Sequence, residues 1–256
     1  MQGAQHVLAP TFMCTIAILF GVSEVPLIVA ANRDELYARR TRAPEVLAPG
    51  VAGGVDEESG GTWLAVHREG RFAAVTNQRA IAAKPAGVRS RGHVVRELIV
   101  ARDPEAYVAA LDPRQYASMN LMWGDADRVS VGYLRHDDGE KEVLHLPHGV
   151  HTLCNDRIDA GGFARCDRVR EQLPRAWDPV ALRAVLSDHT RVEAPPSHLP
   201  PELARELTAA CIHTETYGTR SSSLVAIDHG KTLAYFHADG PPCVTEYIDR
   251  TELLYA

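Results

Sequence analysis

Residues 14–20 read CTIAILF and residues 27–35 read LIVAANRDE, separated by the segment GVSEVP. Both runs are rich in β-branched residues and are apolar at consecutive as well as alternate positions. That pattern suits strands covered on both faces, not an amphipathic helix with one wet side. The link between them carries Gly21 and Pro26, so the runs are expected to pair as neighbouring strands. The first opens on Cys14, directly after Met13. The second closes on four polar residues, Asn32, Arg33, Asp34 and Glu35.

Working outward, residues 39–61 are rich in Arg, Pro and Gly and are expected to form a loop. TWLAVH (62–67) and RFAAVTN (71–77) predict a hairpin around REG. Residues 91–111 predict a helix whose apolar face is Val94, Val95, Leu98 and Ile99. Asp103-Pro104 inside that stretch starts a second helix, with a cap and a first-turn proline. MNLMWGD (119–125), RVSVGYL (128–134), KEVLHL (141–146) and VHTLCN (150–155) read as strands. Helices are expected at 163–175, 178–189 and 201–210, with EAPPSHLPP (193–201) as a loop or flap. SSSLVAID (221–228), KTLAYFH (231–237) and CVTEYID (243–249) complete the strands, and the serines of GTRSSSL are expected on an outward face. Strand clusters alternate with helical blocks, which predicts an α/β sandwich of mostly antiparallel sheets in a single domain, not a doubly wound fold.

The 256 residues carry a formal charge of −6, which argues against a nucleic-acid partner. Lys84, Lys141 and Lys231 are the only lysines among 27 basic residues. A GC-rich coding sequence explains that bias, and arginine forks also suit carboxylates and phosphates. The five cysteines, at 14, 154, 166, 211 and 243, form no CxxC pair, which suits free thiols in a reducing compartment. No apolar run is long enough to span a bilayer, and no Lys or Arg precedes Arg33 to mark a signal peptide. A cytoplasmic location is expected.

Dinucleotide, P-loop, zincin and nucleophile-elbow motifs are all absent. His145, His148, His151 and Cys154 have metal-like spacing but straddle a Pro-Gly turn, so no metal site is expected there. Cys14 has two readings. It is a small buried hydrophobe in a core strand, the common fate of a free cysteine. Alternatively, removal of the residues through Met13 leaves a thiol and an α-amine on one residue. The amine, with a reference pKa of about 7.7–8.0, serves as general base to its own thiol.

The combination of Met13-Cys14, NRDE (32–35), GGTWL (60–64), the Thr76-Asn77 strand end, VHTLCN and YGTR (217–220) resembles the NRDE family, which includes the transport and Golgi organisation 2 proteins. The resemblance runs from Met13 over essentially the rest of the chain. It makes residues 1–12 an expected extension or misassigned start, and 13–256 one domain. It implies a four-layer αββα sandwich of the N-terminal nucleophile hydrolase type, closest to the cysteine branch that cleaves amides.

On that resemblance Cys14 would be the nucleophile, Asp34 would hold its amine, and Asn77 and Asn155 would serve the oxyanion. Arg220 would favour the thiolate. The amide-cleaving branch has an arginine where this chain has Ala31, and Arg33 is the candidate replacement on the same strand face. Arg33, Arg220 and Arg39 are candidate contacts to an anionic ligand, and Gly60, Gly61 and Trp63 are expected to shape a turn and fill core. The expected partner is a small molecule, with no resident cofactor. The alternative is a carrier for a hydrophobic anion such as haem or an acyl-CoA, in keeping with the family's links to haem and lipid homeostasis.

Overall fold

A computed structural model describes residues 14–78, 87–194 and 199–256. Among these, the chain runs β1 (Thr15–Phe20), β2 (Leu27–Leu36), β3 (Thr41–Ala48), β4 (Val51–Asp56), β5 (Leu64–His67) and β6 (Arg71–Asn77). Helices α1 (Arg91–Val100) and α2 (Pro104–Ala110) follow, then β7 (Met119–Gly124), β8 (Val129–Leu134), β9 (Lys141–His145) and β10 (Gly149–Leu153). Helices α3 (Ala164–Gln172), α4 (Pro179–Leu186) and α5 (Pro201–Glu206) precede β11 (Tyr217–Asp228), β12 (Lys231–Ala238) and β13 (Ile248–Asp249).

The strands form two antiparallel sheets, ordered β10-β1-β2-β11-β12-β13 and β3-β4-β5-β6-β7-β8-β9. Side-chain alternation sorts the apolar residues into three layers. Ile16, Ile18, Val29 and Val225 of the first sheet meet Leu64, Phe72, Met122 and Val131 of the second in a buried central core. The opposite face of the first sheet, with Ala17, Leu19, Ala30 and Leu224, packs on Val169, Leu182 and Leu186 of α3 and α4. The outer face of the second sheet, with Ala65, Ala73 and Leu121, takes Val94, Val95, Leu98 and Ile99 of α1. Both sheets are thus covered on both faces, and the layers run α, β, β, α.

Local chemistry explains the helix starts. Asp103 accepts from the Ala106 amide before Pro104, and Asp178 accepts from the Val180 and Ala181 amides before Pro179. The start of α1 lies hard against the chain entering β5. A Cβ on Gly61 would sit 2.7 Å from the Gly92 backbone, and the Thr62 amide donates to Gly92 O at 3.1 Å. Gly60 supplies the turn at φ 69°.

Several expectations change. Residues 39–61 hold β3 and β4, not a loop. β3 is an edge strand with register shifts around Pro44, the position a proline needs to stay off the ladder. Of 243–249 only Ile248–Asp249 pairs as a strand. Ser221, Ser222 and Ser223 are buried, because β11 is a central strand with polar partners on both faces. Cys154 and Cys166 are disulfide-bonded, contrary to the expectation of free thiols, while Cys14, Cys211 and Cys243 are free. Part of the expected 193–201 loop and the residues through Met13 lie outside the described residues.

Candidate active site

The hairpin of β1 and β2 sets the site. Their register pairs Thr15 with Asn32 and Ile16 with Ala31, so the next step outward places Cys14 across from Arg33. Cys14 shares the inner parity of Ile16 and Ile18 and lines a cavity of about 310 Å³ with Arg33, Asp34, Glu35, Asn77 and Arg91. Arg39 and Arg89 also reach its wall. The Cys14 Sγ lies 3.9 Å from the Asp34 carbonyl oxygen.

Asn32 and Asp34 alternate onto the opposite, helix-facing side of β2. The Asn32 side-chain amide donates to Leu186 O at 2.8 Å and Ala210 O at 2.9 Å, which ties the strand to the helical layer. Asp34 is fully buried. It accepts from Arg165 Nη1 at 2.8 Å and from Thr219 Oγ1 at 2.6 Å. Burial raises its carboxyl to about 6, with Arg165 and then Thr219 pulling the other way. At neutral pH the group is an ion held by two donors.

Burial is also the largest influence on the Cys14 thiol, pushing it up to about 12; the Asp34 charge adds to this and Arg33 opposes it. In a chain that continues upstream of Cys14, this thiol is protonated at neutral pH.

Arg33 pairs with Glu35 at 3.5 Å, yet its Nη1 is buried without a hydrogen-bond partner. Glu35 is shared with Arg39, which binds Asp56 at 3.0 Å through Nε. Arg91 donates to Ser118 O at 3.0 Å, and burial pulls its pKa below the usual arginine range. The cavity is therefore lined by guanidinium groups in unequal states of satisfaction. Among the described arginines lining it, Arg33 is the one with a buried nitrogen that has no hydrogen-bond partner.

Asn77 ends β6 and is among the residues lining the cavity. Asn155, buried just beyond β10, does not line it; its side-chain amide donates to the Asn77 carbonyl at 2.8 Å. The same crossing is reinforced by Thr76 Oγ1 donating to Cys154 O at 2.8 Å. Arg220 does not line the cavity either. It occupies a bulge in β11 and reaches the second sheet at Thr41 Oγ1, 3.4 Å away.

Sequence reading missed Arg165 and Thr219, the two side chains that hold Asp34. Nothing in one sequence marks Arg165, which lies 131 residues from its partner. The neighbouring Cys166, bonded to Cys154, was the available clue that α3 is tied to the end of β10. The histidine series fails as a metal set, because Cys154 is in the disulfide and His151 is occupied by Asp159 and Pro147 O.

The layered, mostly antiparallel architecture is that of the N-terminal nucleophile hydrolase fold. A Caenorhabditis elegans N-acylethanolamine-hydrolyzing acid amidase ortholog superposes with a TM-score of 0.53 at 11% identity, covering 83% of this chain and 92% of that one. A mutant of the conjugated bile acid hydrolase from Clostridium perfringens gives 0.52 at 12% identity, covering 95% and 94%. Residues 13–239 match the Transport and Golgi organisation 2 family model, and the chain belongs to that family. A Bos taurus Transport and Golgi organization protein 2 homolog is 29% identical over 247 residues, covering 84% of this chain and 89% of the relative. A Mus musculus homolog is 25% identical over 246 residues.

Proposed function

We propose that the chain is an N-terminal cysteine hydrolase acting on an amide or related acyl bond, once cleavage after Met13 frees the Cys14 amine. The observation that carries this reading is the placement of Cys14 on the cavity wall beside a buried, doubly held Asp34. In the proposed reaction the free amine takes the thiol proton and the thiolate attacks the substrate carbonyl. The Asn77 side chain donates to the developing oxyanion, a contact worth about 3 kcal/mol when so aimed. The ammonium returns its proton to the leaving amine as the C–N bond breaks. Water then attacks the thioester, losing a proton to the same amine; the C–S bond breaks as the ammonium returns that proton to the Cys14 sulfur, and the carboxylic acid departs. Asp34 orients the amine, Asn155 fixes the Asn77 backbone, and Arg33 offers its spare donor to an anionic part of the substrate.

The test uses a chain beginning at Cys14 and a panel of N-acyl amides. The expected result is turnover, an acyl adduct on Cys14 by mass spectrometry, and loss of both in Cys14→Ala with an unchanged fold. Equal turnover in Cys14→Ala would sink the proposal. The cytoplasmic expectation rested on free thiols, and the Cys154–Cys166 bond removes part of that support.

A second reading has its own support. The protonated Cys14 and the arginine-lined cavity also suit a carrier for a hydrophobic anion, for which haem is a candidate. It predicts saturable binding without product, weakened by Arg33→Ala. Release of product from an amide decides between the two.

A further inference from the structure

Among residues that do not line the cavity, three segments converge near the start of β11. His189 follows α4, Cys211 and His213 lie on the approach to β11, and Cys243 follows β12. One donor atom from each lies within 4.8 Å of all the others. Cys211 Sγ is 3.7 Å from Cys243 Sγ and 3.6 Å from His213 Nε2, and His213 Nε2 is 3.3 Å from Cys243 Sγ.

These separations can be compared with what one ion would require. With zinc–sulfur bonds of about 2.3 Å and zinc–nitrogen bonds of about 2.0–2.1 Å at tetrahedral angles, sulfurs lie about 3.8 Å apart and sulfur lies about 3.6 Å from nitrogen. The three observed distances fall close to those values together. A disulfide is a poorer description, since it needs the sulfurs at about 2.05 Å. The fourth group is also prepared. His189 Nδ1 faces the Cys211 carbonyl at 3.1 Å; as the donor there, it keeps the proton on Nδ1 and leaves the Nε2 lone pair for a metal. The His213 backbone is pinned by its amide donating to Glu206 Oε1 at 3.1 Å, and Glu206 is in turn held by Arg191 at 2.7 Å.

We propose that His189, Cys211, His213 and Cys243 bind one zinc ion in a closed, four-ligand structural site. Two thiolates and two imidazoles in this arrangement select zinc over harder cations, and four protein ligands leave no position for substrate. Cys211 is buried while both histidines are exposed, so the ion enters from the surface side. The consequence reaches the cavity through one residue. The Ile212 amide, between two of the ligands, donates to Thr219 Oγ1 at 3.0 Å, and that hydroxyl donates to Asp34. The ion thereby fixes the segment that positions the Thr219 hydroxyl. None of this depends on the hydrolase reading.

The experiment is elemental analysis of the full chain, expressed with zinc and purified without chelator or a polyhistidine tag, followed by cobalt substitution. One zinc per chain is expected, with visible cobalt bands of a tetrahedral thiolate site that vanish in Cys243→Ser. His189→Gln removes an exposed ligand and spares the core; it should weaken metal retention against a competing chelator by about tenfold or more. It therefore decides the matter should Cys243→Ser fail to fold. A chain without zinc, cobalt bands unchanged in Cys243→Ser, unaltered retention in His189→Gln, or a Cys211–Cys243 disulfide in a peptide map would each overturn the assignment.

Discussion

Arg165 donates to Asp34 at 2.8 Å where the two side chains are only 2% and 0% exposed, bringing the start of α3 onto the end of β2. An ion pair this deep gains little over a well-packed apolar pair, but either partner alone is costly. Arg165→Ala should therefore lower stability by about 3–5 kcal/mol in urea unfolding. Arg165→Met combined with Asp34→Asn should recover most of that loss. A single mutant no worse than the double would mean the pair is not closed in solution.

The state of Cys14 is measurable by alkylation. With its thiol raised to about 12, Cys14 in a chain that retains Met13 should react with iodoacetamide at pH 8 roughly two to three orders of magnitude more slowly than an unperturbed cysteine. A chain beginning at Cys14 should react much faster, because the new amine lies beside the thiol. Peptide mapping of the alkylated sites reads both rates, and equal rates would remove the amine from the mechanism.

His151 provides a pH test outside the cavity. Its Nδ1 faces Asp159 Oδ2 at 2.7 Å and its Nε2 faces Pro147 O at 2.9 Å, so both nitrogens meet acceptors and the imidazolium satisfies both. Burial pushes the ring pKa down, but the Asp159 and Pro147 bonds outweigh it and leave it above 6.5; the nearby Arg170 opposes. Burial likewise pushes Asp159 up, and its bonds to His151 and to the Thr152 amide leave it below 3.8. A raised histidine stabilises fully below 6.5 and loses that contribution as pH climbs through the folded pKa. A lowered carboxylate stabilises above 3.8 and loses its share as pH falls. The pair thus contributes most between these values, and His151→Gln should flatten the decline in melting temperature above pH 6.5. An unchanged profile would show that His151 is neutral in the fold.

Arg33 should govern charge selectivity in the cavity. If its spare Nη1 meets an anionic substituent, Arg33→Ala should lower kcat/KM for a carboxylate-bearing amide by about 10–100-fold, the worth of a charged hydrogen bond. The neutral isostere should change far less. Equal losses for both substrates would make Arg33 a positioning residue for Cys14.

Local pattern made the hairpin of β1 and β2 legible, since continuous apolar runs have one stable home in a layered sandwich. Cys14, Asp34 and Asn77 could be picked out because they fall near strand ends within recognisable motifs; all three are among the cavity-lining residues, with the Asp34 carboxylate bonded on the helical side. The strands within 39–61 were hidden by Pro44 and the glycines, which read as a loop unless the bulged edge is known. Arg165 and Thr219 were hidden for a different reason. Their role exists only after α3 and β11 have been packed against β2, and no spacing along the chain encodes that meeting. The same holds for His189, Cys211, His213 and Cys243, whose separations match no metal-binding pattern.

The bulge at Arg220 has a further consequence. Thr219 and Ser222 both serve the helical side, bonding Asp34 and Asn32, while Arg220 and Ser221 both turn toward the other sheet. Simple alternation would group Thr219 with Ser221; the extra residue groups Thr219 with Ser222 and Arg220 with Ser221 instead. In YGTRSSS, then, the count of residues is itself information. A relative that lost one residue here could preserve every chemical group and still deliver them to the wrong room. Insertions and deletions in this segment would be purged more strictly than most substitutions.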